Sequence, residues 1–462
     1  MYQFSQKAML LAGALLAMAV APQSAQAQPS DRLADNQLNL AAEVEAIDFH
    51  WAGNRVWAQM IQRGEHQLII YYDANRQMSV AHRAHQRTPW RYQKVPSFLG
   101  WDSHNYATVD VDEEGYIHVM GNMHNDPLVY FRSTEPWNVR SLKQVDSLKQ
   151  VDYMIDPKRD QNVTYPKFIH DGEGRLIAIY RLGGSGNGRY YYHRYDTASK
   201  TWSLMHDGQF FDGEDERGAY YIGPQLGPDG MFHMVWVWRE TPSAATNNNL
   251  SYVRSPDLEN WEDSNGKPVT LPLIRSTGEI VDPIPTFSGL LNGQKKLGFD
   301  ANKLPMISYY KNDAKGDTQI MLARKAGKGW TAHQISNWTD SKQFLNRGGS
   351  LSVPIRVPES PYIAEDGTIR VRARRDGEEI EFVVDAKSNR TVRVGAYKSV
   401  PDVIKTFQDN DALTQFVRKA EGIPADSKYD FYLSWEANPP AQDQARGQIP
   451  PASTLRLHKV PR

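Results

Sequence analysis

An acidic residue, a tight turn, a glycine and then alternating apolar and polar positions recur along this chain. The copies are DEEGYIHVMG, DGEGRLIAIY, GPDGMFHMVWV and EDGTIRVRA, with a degenerate one at DANKLPMISYY. Their glycines are Gly115, Gly174, Gly230 and Gly367. Period-two alternation on both sides of a short turn predicts hairpins. A second pattern follows the copies, in VYFRSTEPW, YYHRYDTASKTW, SYVRSPDLENW and IMLARKAGKGW, which end at Trp137, Trp202, Trp261 and Trp330. An earlier one, MSVAHRAHQRTPW, ends at Trp90. Two hairpins per unit, at spacings of roughly fifty to seventy residues, describe four-stranded blades. The expected fold is all-β, a seven-bladed β-propeller of four-stranded antiparallel blades forming one domain over residues 28–462. The Trp residues are read as packing between blades. Helical spacing of apolar residues is confined to Val400–Gly422, where one helix is expected. The tandem SLKQVDSLKQVD at 141–152 is read as a loop insertion without function.

The beginning of the chain changes the picture of where it works. Lys7, an apolar run from Ala8 to Ala21 and the small-residue site Ala25-Gln26-Ala27 read as a secretory signal peptide over residues 1–27, giving a secreted or periplasmic protein. The run is too short for a good membrane span, and no later stretch is long and apolar enough for one. With 0 cysteines, neither disulfides nor thiolate chemistry is open to it, so stability must come from a large core. A net charge of −1 without a basic block gives no reason to expect nucleic acid or a membrane as partner, and a monomer is expected. Aromatic residues make up 11%, including 12 Trp and 23 Tyr, which suits sugar binding as well as sheet cores.

Candidate chemistry sits at hairpin ends. Folding HNYATVDVDEEGYIHVMGNMH about residue 114 brings His104 opposite His124. Folding YPKFIHDGEGRLIAIYR about its turn brings Tyr165 opposite Arg181. Counting nine residues back from Gly230, as Tyr165 lies nine before Gly174, places Tyr221 at the same mouth. The glycine-rich RLGGSGNGR after Arg181 would let a polymer approach the backbone, but it lacks the lysine and helix of a phosphate loop. Tyrosine, two histidines and arginine, without an obvious close carboxylate pair, suit β-elimination of a uronic-acid glycoside. A cation meets the sugar carboxylate, a base takes the neighbouring proton and an acid protonates the leaving oxygen. Arg181 is expected to lower the pKa of Tyr165, which then serves as acid and base, with His124 as a further proton acceptor and His104 helping to position the carboxylate.

SHNYATVDVDEEGYIHVMGNMH, TYPKFI and IYRLGGSG resemble the BNR-type propeller lyases that cleave rhamnose–glucuronate linkages, the ulvan lyases among them. The resemblance covers most of the mature chain and is strongest between Trp101 and Arg239. It implies catalytic roles for Tyr165, His124, His104 and Arg181, and substrate contacts from Tyr221, Asn105 and Arg239. Tyr220 stands beside Tyr221, so one residue of slip would exchange them. The implied partner is an anionic polysaccharide, ulvan first. No cofactor is required for the chemistry, and a structural calcium or zinc is compatible with the resemblance, with no ligands matched.

Other readings compete. The same elimination could act on unsulfated rhamnosyl-glucuronate of plant gums or arabinogalactan. SPDLENW is a degenerate Asp-box turn, which suggests a sialidase-like hydrolase, although that chemistry needs an arginine cluster. A non-catalytic glycan-binding propeller is the third alternative. His118 and His233 occupy equivalent places after the turn glycine and read as structural. His82 and His85 should face opposite sides of a strand, which disfavours a metal clamp. The arginine-rich RVRARR at 370–375 reads as the solvated face of an edge strand.

Overall fold

In the computed structural model, residues 43–145, 161–342 and 353–462 are described here, and they form seven antiparallel sheets. The first spans residues 59–98, the second 107–144, the third 163–204, the fourth 218–282, the fifth 295–334 and the sixth 355–396. The seventh combines strands Thr414–Lys419, Tyr429–Ala437 and Ser453–Pro461 with Glu43–His50, so the first described strand pairs with the last.

The recurrent turn has a physical basis. Asp112 Oδ1 accepts from the backbone N–H groups of Glu114 and Tyr116, and Asp171 Oδ1 from those of Glu173 and Arg175. Such side-chain acceptors replace the missing ladder bonds where the chain reverses. Gly115 and Gly174 close these turns at φ of +87° and +86°. In the degenerate copy Asp300 does the same work, and Lys303 takes the glycine's place at φ +64°. A turn at Asp73, with Arg76 at φ +65°, is another copy in which no glycine marks the sequence.

Apolar clusters join the first sheet to the second, the second to the third, and so on through the sixth. Another joins the seventh to the first. Among the described residues the junction of the sixth and seventh sheets has no such cluster and holds a cavity of about 710 Å³. Gln59, Thr108, Lys167, Lys296 and Val417, from five different sheets, line a further shared cavity of about 680 Å³. Trp202 and Trp261 at unit ends are 1% and 3% exposed and pack in the clusters that join successive sheets, as expected. His118 accepts or donates to Tyr130 Oη at 2.7 Å, and His233 likewise to Tyr252 Oη at 2.6 Å, so both are repeat-structural. His82 contacts His66, whereas His85 pairs with the exposed Glu65.

Three expectations are corrected. The region 400–422 contains one helical turn, Asp402–Lys405, and then strand Thr414–Lys419, because pairing with Tyr432–Ala437 overrides local helical spacing. Leu142–Gln144 is an edge strand rather than loop, and the rest of the tandem lies outside the described residues from 146 to 160. Ile369–Arg375 is a central strand, paired on both sides. Residues 1–27, with the expected signal peptide, also lie outside the described residues.

Candidate active site

At one end of the second sheet Ala107 pairs with Gly121, and a Cβ on Gly121 would lie 2.5 Å from the Ala107 Cα. That close approach brings the flanking residues together. The rings of His104 and His124 have centres 4.5 Å apart. His124 then opens the short strand His124–Asp126, which leaves the second sheet and pairs with Val163 and Thr164 on the edge of the third. This crossing carries the histidine pair to Tyr165, whose ring centre is 6.1 Å from His104 and 6.0 Å from His124.

Asp102 organises the pair and was not anticipated from the sequence. Its two carboxylate oxygens take Nδ1 of His104 at 2.7 Å and Nδ1 of His124 at 2.5 Å. Burial alone would raise the Asp102 pKa, but the hydrogen bonds from His104 and His124 outweigh it and hold the carboxyl well below its usual range. An Nδ1–H committed to a carboxylate leaves Nε2 as an acceptor, the form a base requires. Asp443 adds a second carboxylate 3.5 Å from His104 Nδ1 and accepts from Ser103.

Tyr165 and Arg181 meet, though by a different route from simple cross-strand pairing. Thr164 is the partner of Arg181, and a bulge follows between Thr164 and Lys167. Within it Tyr165 adopts φ +57°, an uncommon conformation for a bulky side chain. The guanidinium of Arg181 lies 4.7 Å from the Tyr165 ring centre. Arg181 is 2% exposed, and no acidic side chain among the described residues pairs with it. Its Nε and one Nη have no hydrogen-bond partner. A buried cation without an acidic partner is costly, and a bidentate carboxylate is the group that relieves it. Burial opposes the Arg181 charge, but the hydroxyls of Tyr190, Tyr165 and Tyr220 outweigh this and raise its pKa. For Tyr165 the balance runs against the sequence expectation: burial raises its pKa, and Arg181 offsets this only partly. The phenol is therefore kept as a proton donor.

Tyr220 occupies the place expected for Tyr221. The Arg181 and Arg239 guanidiniums lie 6.0 and 5.2 Å from the Tyr220 ring, and its hydroxyl meets Ser185 Oγ at 2.6 Å. Tyr221 instead packs against Tyr190 and Phe211. The reason is the bulge position: in the fourth sheet it falls between Ile222 and Gln225, so residue 221 keeps ordinary strand alternation. Arg239 therefore belongs to the cluster, with one Nη donating to the Pro242 carbonyl. Asn105 is buried, its side-chain Nδ2 donating to Asn122 Oδ1 and its backbone carbonyl accepting from Tyr72 Oη, while its Oδ1 has no partner. In the glycine-rich loop a Cβ on Gly188 would fall 2.3 Å from the Arg181 side chain, and one on Gly186 2.8 Å from Thr241, so both positions need glycine to pack against their neighbours.

Asp102, His104 and His124 have ligand atoms within 4.8 Å of one another, the one such group among the described residues. The same Nδ1 and carboxylate atoms make the clamp. Two imidazole nitrogens and a carboxylate oxygen are donors that a zinc ion accepts, so these three residues are the ones that would hold a metal here.

A sequence profile described as a BNR repeat-containing family member matches residues 66–338, well over half the chain. The chain belongs to this family. The long isoform of ulvan lyase from Pseudoalteromonas sp. (strain PLSV) is 32% identical over 124 residues, 25% of this chain and 12% of that protein. The short isoform from Alteromonas sp. (strain LOR) is 28% identical over 130 residues, 26% of this chain and 25% of that protein. The chain thus spans a quarter or less of the curated relatives it matches. In fold, the polysaccharide lyase Uly1 matches with a TM-score of 0.62 at 12% identity, covering 91% of this chain and 99% of that one. A PL25 ulvan lyase bound to -[GlcA(1-4)Rha3S]- matches with a TM-score of 0.58 at 13% identity, covering 90% and 95%.

Proposed function

We propose that this protein is a polysaccharide lyase that cleaves rhamnose–uronate linkages of an anionic glycan, ulvan first, by β-elimination, and that its seven sheets are the blades of a propeller. The observation that carries the reading is the buried Arg181, with orphaned guanidinium nitrogens, facing a protonated Tyr165 beside two carboxylate-oriented histidines. In this reading the uronate carboxylate pairs with Arg181, which stabilises the negative charge that grows as the adjacent C5 proton leaves. His124 Nε2 takes that proton. The C4–O bond breaks, the C4–C5 double bond forms, and the Tyr165 hydroxyl gives its proton to the leaving oxygen. His124 then holds the proton that Tyr165 needs, so transfer between them resets the site. His104 shares Asp102 with His124 and its ring centre lies 4.5 Å away, so the two rings are held as one unit.

The similarity to ulvan lyases in sequence and fold supports ulvan over the gum polymers. Product analysis on ulvan, desulfated ulvan and rhamnosyl-glucuronate gum tests the choice. Unsaturated uronate ends from ulvan support it; unsaturated ends from the gum alone would reassign the polymer, and saturated reducing ends would reassign the chemistry to hydrolysis.

A further inference from the structure

We propose that the cavity between the sixth and seventh sheets is an accessory subsite that holds an anionic group, sulfate ester or carboxylate, of a sugar unit further along the same polymer. The proposal rests on the reading of the chain as a lyase of an anionic glycan.

The cavity, about 710 Å³, is lined by Arg55, Arg356, Arg374 and Lys405, against a single acidic residue, Glu379. Three other arginines of strand Ile369–Arg375 are paired: Arg370 with Asp366, Arg372 with Glu359 and Glu381, and Arg375 with Asp340. No acidic side chain among the described residues lies within 4.0 Å of Arg55, Arg356 or Arg374. Glu379 turns its carboxylate to Ser399 instead. Arg356 and Arg374 are direct cross-strand partners, a placement unfavourable for like charges, while Glu379 stands opposite Arg374 on its other side. Arg55 Nε is buried without a hydrogen-bond partner. Burial and the neighbouring cations lower the pKa of both Arg55 and Arg356. Three guanidiniums gathered in one cavity with no carboxylate in contact, and only Glu379 and Asp443 acting on them from further off, favour an anion from outside.

Sugar chemistry is indicated by the walls. The Arg55 guanidinium lies 5.2 Å from the Trp57 ring and 5.9 Å from that of Phe416, and both rings line the cavity. Flat aromatic faces beside fixed cations suit an anionic sugar better than a bare ion. The position is also right. Arg55 precedes the edge strand Gln59–Arg63 as His104 precedes Ala107–Val111, and Arg374 ends its strand opposite Arg356 as Arg181 ends its strand opposite Thr164. Asp443 ties the two places together: it lies 3.5 Å from His104 and its charge also acts on Arg55.

The test is isothermal titration of the full chain with ulvan oligosaccharides of about eight sugars, using wild type, Arg356→Gln and Arg55→Gln, each checked for folding by thermal melting. The expected result is at least a tenfold loss of affinity in either variant, with the melting temperature of Arg356→Gln unchanged or higher. Turnover of the shortest cleavable fragment stays at the wild-type rate. Desulfated and carboxyl-reduced oligosaccharides then identify the anion: the modification that erases the difference between wild type and Arg356→Gln names the group. Equal affinities in folded variants, or no binding by wild type, overturn the subsite. Unsaturated product without arginine-dependent binding would remove the subsite and leave the lyase; arginine-dependent binding without product would do the reverse.

Discussion

Replacing Asp102 with Asn separates the clamp from the rest of the site. The carboxylate now accepts from two Nδ1 atoms at 2.7 and 2.5 Å. An asparagine offers one acceptor and one donor in the same places, so one ring keeps its tautomer and the other must move its proton to Nε2. A ring protonated at Nε2 is no longer a base toward the substrate. Loss of a correctly presented general base costs about 10²- to 10⁴-fold in kcat, or roughly 3 to 5 kcal/mol of barrier. KM should change little, because Arg181, on the third sheet, is the residue assigned to the substrate carboxylate. Stability should fall by about 1 to 3 kcal/mol, the value of charge-assisted hydrogen bonds at a side chain that is 29% exposed. The assay is steady-state release of unsaturated uronate together with a denaturant melt. A folded Asp102→Asn protein with kcat within about threefold of wild type would refute the clamp's role in orienting the base.

Tyr165→Phe should abolish turnover while leaving the melting temperature within a few degrees of wild type, as read by the same assay and by calorimetry. Tyr220→Phe should reduce turnover by about tenfold or more, while Tyr221→Phe should leave it near wild type; the opposite order would return the site to Tyr221. Gly188→Ala should displace Arg181, because the new Cβ would fall 2.3 Å from its side chain, and should raise KM for uronate polymers measurably. Acid stability should follow three buried histidines, His50, His82 and His458, each lowered to about 4 mainly by burial. Lowered histidine pKa values give stability that is present above the unfolded value near 6.5 and lost as pH falls toward 4, worth up to about 3 kcal/mol each. A melting temperature constant between pH 7 and 4.5 would contradict this.

The hairpin ends were legible because turn chemistry is local: Asp112 and Asp171 close their turns through their own side chains, and Gly115 and Gly174 take the left-handed backbone. Symmetry about such a turn brought His104 to His124 and Tyr165 near Arg181. What it could not reveal were departures from symmetry. The bulge at Tyr165 and the later one after Ile222 make equal offsets point in different directions, so Tyr220 and Tyr221 exchange places. Asp102 carried no signal, since an aspartate two residues before a histidine in a loop is ordinary; its value comes from reaching His124 on the returning strand. The tyrosine's pKa was misjudged because neighbouring charge can be guessed from sequence, whereas the burial that outweighs it cannot. Arg374 was read as solvated because its partner Arg356 is a long-range neighbour across the sheet.

Ultraviolet absorbance during incubation of the purified protein with ulvan tests the central claim most directly. A steady rise from unsaturated uronate ends, absent in Tyr165→Phe, is the predicted result. A flat trace with ulvan and with gum-derived rhamnosyl-glucuronate alike, from folded protein, would contradict it.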